Sequence, residues 1–247
     1  MKSRWSLIAS HRRSALQNVR LGVLLAFVAG AVNAGGFFAV GMYTSHMTGI
    51  VSGIADHAVV GASVLSLSGV FFVAAFVIGA TTTTLLIKQG HQRSRRSVYA
   101  LPLFVEGILI AIIGAFDAGL SNNIAMRVVS LTLLLCFLMG MQNAVITKIS
   151  RAEIRTTHMT GILTDIGISV GRLLWSSTHH EAEENVLSRL KILIAIFVAF
   201  VVGGFVGALG FRYVGFWIMV PLGVLVALPS VPQFARDVVR RRRRASH

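Results

Sequence analysis

Acidic residues are scarce in this chain. Nine Asp and Glu stand against 23 Lys and Arg, and charged residues of both signs make up only 13% of the 247 positions. Soluble domains carry about 25% charged residues, so an ordinary cytosolic domain is excluded. Cysteine occurs once, as Cys136 in an apolar run, so no intrachain disulfide can form and nothing points to an oxidising compartment. A P-loop is absent, which argues against a self-contained ATP-driven pump. No nucleophile–base pair has a recognisable spacing, so an enzyme is not expected. Apolar residues fill the space that charge leaves: the chain is 55% hydrophobic, with a mean hydropathy of +0.75. Residues 62–87 and 192–211 contain no charge at all. Each run is long enough to cross a ~30 Å hydrocarbon core as a helix. A β-barrel is not expected, because its strands would alternate in polarity over about 10 residues. The fold class is therefore an all-α integral membrane protein.

Apolar runs give six candidate transmembrane helices, at 21–42, 62–87, 98–118, 128–147, 192–211 and 214–232. Two shorter pieces, 45–60 and 157–172, read as re-entrant half-helices because they are short for a full crossing. With the N-terminus in the cytoplasm, all of the 23 Lys and Arg except Arg127 and Arg212 fall on the inside. That bias predicts a multi-pass protein of the bacterial inner membrane with both termini cytoplasmic. The first 34 residues have the layout of a secretory signal peptide. Cleavage is not expected, because residues 28–50 have a copy in the body of the chain. The domain plan is a basic N-terminus (1–20), a first membrane repeat (21–119), a second (124–232) and a polybasic tail (233–247). The net charge of +14 sits at the ends of apolar runs. It therefore predicts orientation and attraction to anionic lipid headgroups, not nucleic-acid binding.

The copy includes a hexapeptide that recurs with one letter changed: TSHMTG at 44–49 and TTHMTG at 156–161. Upstream, Gly30 aligns with Gly140 and Asn33-Ala34 with Asn143-Ala144. Each copy contains a span ending in a Gly/Asn patch, a polar link, a half-helix and two more spans. Three crossings per repeat is an odd number, so the second repeat inserts with inverted topology. The links agree: 40–45 is uncharged, while 148–156 carries three basic residues. Inverted repeats with short helices at matching positions point to a transporter-type architecture with a midplane site between the repeats. The two segments also resemble the YoaK family of bacterial membrane proteins over about 21–232, departing from its pattern at Asn33 and Ile50. That resemblance implies a multi-span inner-membrane protein and supplies no substrate.

The candidate solute-binding residues follow from the repeat: Asn33, Thr44, Ser45, His46, Thr48 and Gly49 in the first copy, and Gln142, Asn143, Thr157, His158, Thr160 and Gly161 in the second. Thr44 or Ser45, and Thr156 or Thr157, are expected N-caps of the half-helices. Helix N-termini inside a membrane would suit an anionic or carbonyl-rich solute. Asn33, Gln142 and Asn143 have the alternative role of joining helices. Glu106 lies mid-span and Asp165 on the second half-helix, and both are candidates for proton or ion coupling. The bland alternatives are a structural, hydrogen-bonded Glu106 and an Asp165 paired with Arg172 or His158. His46 and His57 are 11 residues apart, roughly 16 Å along a helix, too far to share a metal ion. Loop 179–184 reads as solvated, and no metal or other cofactor is expected. The leading expectation is a secondary transporter or channel-like carrier of a small polar solute. A non-transporting scaffold or sensor is the alternative, and an intramembrane lipid-modifying enzyme comes last. Small-residue faces allow a homodimer.

Overall fold

The computed structural model describes residues 15–92, 98–116, 123–150, 156–179 and 184–231. The basic N-terminus, most of the 179–184 loop and the polybasic tail lie outside these residues. Among the described residues every regular element is helical. The helices are α1 (Ala15–Val40), α2 (Met47–Val59), α3 (Ser63–Gln92), α4 (Ala100–Phe116), α5 (Ile124–Ile149), α6 (Met159–His179), α7 (Glu184–Val214) and α8 (Met219–Ala227). Two 3-10 turns, Gly215–Ile218 and Leu228–Ser230, flank α8. Each of the six expected spans and both half-helices has a helical counterpart. The second half-helix runs on past the expected boundary at 172, because residues 173–179 contain no Gly or Pro to stop it.

Among the described residues, four stretches are long and apolar enough to cross a membrane: Asn18–Val40, Ser63–Gln92, Ile124–Ile149 and Val186–Ser230. The last holds both α7 and α8, so two expected spans appear there as one continuous stretch. Helix α4 is a shorter apolar helix. The outer surface is apolar as well. Phe71, Ile78 and Leu85 recur every seventh residue on α3 and are more than half exposed, a pattern that suits lipid and not water. Hydroxyls on such helices bond inward: Thr81, Thr82 and Thr84 each donate to the carbonyl four residues earlier, at 2.9–3.0 Å. This satisfies a polar group where no water is available.

Each of α1, α3, α5 and α7 brings a Phe-x-x-Gly stretch to its crossing: Phe27/Gly30 in α1, Phe76/Gly79 in α3, Phe137/Gly140 in α5 and Phe200/Gly203 in α7. The patterns interlock reciprocally. The space a Cβ would take at Gly30 is filled by the Phe200 carbonyl, and at Gly203 by the Phe27 carbonyl. Gly79 meets the Phe137 carbonyl and Gly140 that of Phe76 in the same way. Close approach of this kind needs glycine, and it creates large dispersion contact without a hydrophobic driving force. The pair α4 and α8 is self-reciprocal: Gly107 meets the Gly223 carbonyl and Gly223 the Gly107 carbonyl.

These contacts fix relative directions. Gly203 meets Phe27, Gly207 meets Ala31 and Phe211 packs on Gly35, so α1 and α7 run parallel. Gly79 meets Phe137, and Thr83 Oγ1 donates to the Met141 carbonyl at 3.2 Å, so α3 and α5 also run parallel. Gly107 meets Ala227 while Gly114 meets Met219, which makes α4 and α8 antiparallel. Gly215, at φ 60°, turns the chain from α7 into α8, and Gly210 packs on Ile218 across that turn. Helix α8 thus folds back on α7, and α4 points the same way as α7 and α1. The end of α3 packs on the start of α4 through Gly90 and Val98, so α3 runs opposite to α4 and to α1. Helix α2 sits between α1 and α3 without making them parallel, and α6 does the same between α5 and α7.

Helix α2 lies back along the first half of α3. Ser66 Oγ donates to the Ile54 carbonyl at 2.9 Å, and Gly69 faces Ile54 and the Ile50 carbonyl. Its N-terminus is therefore carried inward along α3, toward the Phe76/Gly79 crossing. Helix α6 packs on α7 in the same manner, and Asp165 on α6 pairs with Arg189 on α7.

Candidate functional site

The repeated hexapeptides form two junctions of the same design. In the first, Asn33 Oδ1 accepts from the Ser45 backbone N–H at 3.1 Å and from Ser45 Oγ at 2.9 Å. In the second, Thr157 Oγ1 donates to Asn143 Oδ1 at 2.6 Å, while Asn143 Nδ2 donates to the Met139 carbonyl at 2.8 Å. Each junction ties the link before a short helix to the span before that link. The expected capping role does not hold for Ser45. Helix α2 has His46 at its N-cap position with no side-chain cap bond, because the Ser45 hydroxyl is held by Asn33 twelve residues back. Thr157 is likewise directed to Asn143.

Glycine shapes both helix starts. The His46 ring occupies the space beside Gly49, and the His158 ring the space beside Gly161. Thr48 and Thr160 are exposed. Thr44 and Thr156 are fully buried, and neither hydroxyl has a hydrogen-bond partner. From sequence, Thr44 is an expected solute contact and Thr156 only an alternative cap. The structure gives the two identical burial.

The second cluster lies at the helix crossings. Glu106 immediately precedes Gly107, the crossing point of α4 and α8, and is fully buried. Gln142, also fully buried, follows Gly140, the crossing point of α5 and α3, by two residues. The two side chains are neighbours, yet none of their four polar atoms completes a hydrogen bond. The residues one turn away on the same helices are apolar: Leu103 and Ile110 on α4 and Met139 on α5 are all buried. The sequence placed Glu106 and Gln142 in different roles. The structure brings them together, which the separate spans gave no means of predicting.

Asp165 lies away from this cluster. Its Oδ2 is 3.0 Å from Arg189 Nη2, and the side chains are 41% and 66% exposed. Its partner is thus neither Arg172 nor His158, the two candidates the sequence suggested. Ser169 Oγ donates to the Asp165 backbone carbonyl at 2.7 Å. No group of His, Cys, Asp and Glu that could hold a metal ion occurs among the described residues.

A model for the family DUF1275, described as a protein of unknown function, matches residues 21–231. That range is nearly the one over which the chain resembles the YoaK family. No curated protein and no solved structure matches the chain.

Proposed function

Since the chain belongs to the DUF1275 family, described only as a protein of unknown function, we propose a function from its own residues: a secondary transporter or channel-like carrier of a small polar solute, anions included. It works in a bacterial inner membrane with both termini in the cytoplasm. Its two repeats, 21–119 and 124–232, insert with opposite topology, and the solute site lies between them near the midplane.

The observation that carries this reading is the fully buried, unpartnered pair of Glu106 and Gln142 at the level of the helix crossings. Polar side chains at such depth are costly, and they persist where a pathway uses them. The packing supports the repeat. Helices α1 and α7 interlock as α5 and α3 do, which is what a two-fold axis in the membrane plane would produce. The directions of α1, α3, α4, α5, α7 and α8 alternate as six crossings require, with α2 and α6 entering and leaving on one side. The N-termini of α2 and α6 then point inward from opposite faces, each offering backbone N–H groups to a solute. The same reading proposes no enzyme activity for the chain.

Purified protein in liposomes, loaded with a panel of small polar solutes and driven by ion gradients, tests the proposal. The expected result is gradient-dependent accumulation of one class of solute, with thermal stabilisation by the same class. A protein that moves no solute under any gradient, and that no solute stabilises, would rule transport out.

A further inference from the structure

We propose that Glu106 is a single exchangeable-proton site in the membrane interior, and that Gln142 is the positioning residue that satisfies its carboxyl group in both protonation states. The proposal rests on the transporter reading only in making this proton the coupling ion.

A fully buried carboxyl group must find a proton, a cation or hydrogen-bond donors. Charged groups on the helices packed around the site lie toward the helix ends, and on α1, which packs on α5 and α8, the one charged residue is Arg20 in the second turn. Helix α8 and the 3-10 turns beside it carry no titratable group. Helix α4 has no other charged residue. On α5, Arg127 and Lys148 lie in the end turns, and Cys136 is an uncharged buried thiol almost two turns from Gln142. On α3, Lys88 and His91 lie in the last two turns. A hard metal cation takes about six oxygen ligands. This site offers two carboxyl oxygens and one amide oxygen, while the surrounding helical carbonyls are already bonded. A proton needs only one acceptor.

Glutamine suits both states of the acid. When a proton from water binds one Glu106 Oε atom, the resulting O–H donates to the Gln142 amide oxygen. When the proton returns to water, the Gln142 –NH₂ donates to the carboxylate. The exchange needs only rotation about the terminal Gln142 torsion, and no other bond forms or breaks. A leucine in place of Gln142 would serve neither state, and a glutamate would add a second charge.

The site has no counterpart across the reciprocal packing. Val32 precedes Asn33 where Gln142 precedes Asn143, and Leu222 precedes Gly223 where Glu106 precedes Gly107. Both apolar residues are buried. One proton per transport cycle follows.

Difference infrared spectroscopy of the full chain in lipid vesicles, titrated over pH, tests this directly. The expected spectrum has one buried carboxylic C=O band that titrates. E106Q removes it, and E106D shifts it should E106Q fail to fold. Q142L shifts its frequency and moves its titration midpoint by about one pH unit, whereas Q142N partly restores both. A band that survives E106Q, or one indifferent to Q142L, overturns the proposal. A band that behaves as expected in a protein that transports nothing leaves the proton site standing and removes the transporter reading. Uptake that E106Q leaves unchanged keeps the transporter reading and overturns the assignment of this proton as the coupling ion.

Discussion

The two copies of the hexapeptide are built alike at their junctions and differently at the helix crossings. At the junctions, Asn33 holds Ser45 as Asn143 holds Thr157, His46 covers Gly49 as His158 covers Gly161, and Thr44 is as buried as Thr156. At the crossings, the glycines match but their neighbours do not: Glu106 and Gln142 stand where the other side has Leu222 and Val32. The comparison separates two kinds of constraint. Features held in common fix the geometry of spans and half-helices. The feature present once carries the chemistry, because a second buried carboxyl group would add its own desolvation cost.

The largest effect is expected from the matched glycines. Gly140→Leu drives a side chain into the Phe76 backbone, and Gly30→Leu does the same at Phe200. Backbone cannot yield as a flexible side chain can, so each substitution is expected to cost about 3 kcal/mol or more. Thermal unfolding in lipid vesicles measures this. Equal losses support the reciprocity, and a leucine tolerated at one position but not the other breaks it.

Grafting the unmatched pair sharpens the comparison. The double substitution V32Q/L222E places a carboxyl group and an amide at the corresponding positions. The expected cost is about 2 kcal/mol for the added buried polar groups. A second titrating carboxyl band should then appear in the infrared spectrum. Its absence would mean that the site around Glu106 depends on something the Val32/Leu222 side of the packing lacks.

A smaller difference is expected between the junctions. Asn33 Oδ1 takes two donors from Ser45, whereas Asn143 Oδ1 takes one from Thr157. N33A and N143A should each destabilise by about 1 kcal/mol, with N33A costing a few tenths more. Unfolding midpoints of the two variants decide this. A larger loss in N143A would show that the Met139 bond of Asn143 outweighs the second Ser45 bond.

Much of the helical plan was legible in the sequence, because uncharged runs leave few alternatives to a helix in lipid. The junctions were half legible. The repeat marked Asn33 with Asn143 and the hydroxyl residues Ser45 with Thr157, but capping propensity suggested that the hydroxyls face forward along the new helix. Tertiary contact turned them back to the asparagines instead. The Phe-x-x-Gly stretches of α1, α3, α5 and α7 were present in the sequence, but the same spacing also occurs at Phe38/Gly41 and Phe116/Gly119, and a pattern of two residues says nothing about its partner. The meeting of Glu106 with Gln142 was not legible, because it depends on how α4 sits against α5 and not on any local spacing.

Asp165 and Arg189 provide the smallest expected effect and a last test of the asymmetry. The pair links α6 to α7 on the second copy alone, since Gly53 and Leu65 hold the aligned positions in the first. Both side chains are substantially exposed, at 41% and 66%, so solvent and salt screen their attraction. An exposed ion pair of this kind is worth about 0.5 kcal/mol. D165N and R189Q should therefore each shift the unfolding midpoint slightly, and the double variant should lose no more than either single one. Raising the salt from 0.05 M to about 0.5 M should erase most of the difference from the unsubstituted chain, because the screening length falls well below 10 Å. A loss of several kcal/mol that persists in salt would mean that the pair is shielded from water. Asp165 would then join Glu106 among the buried acids, and each repeat would hold one.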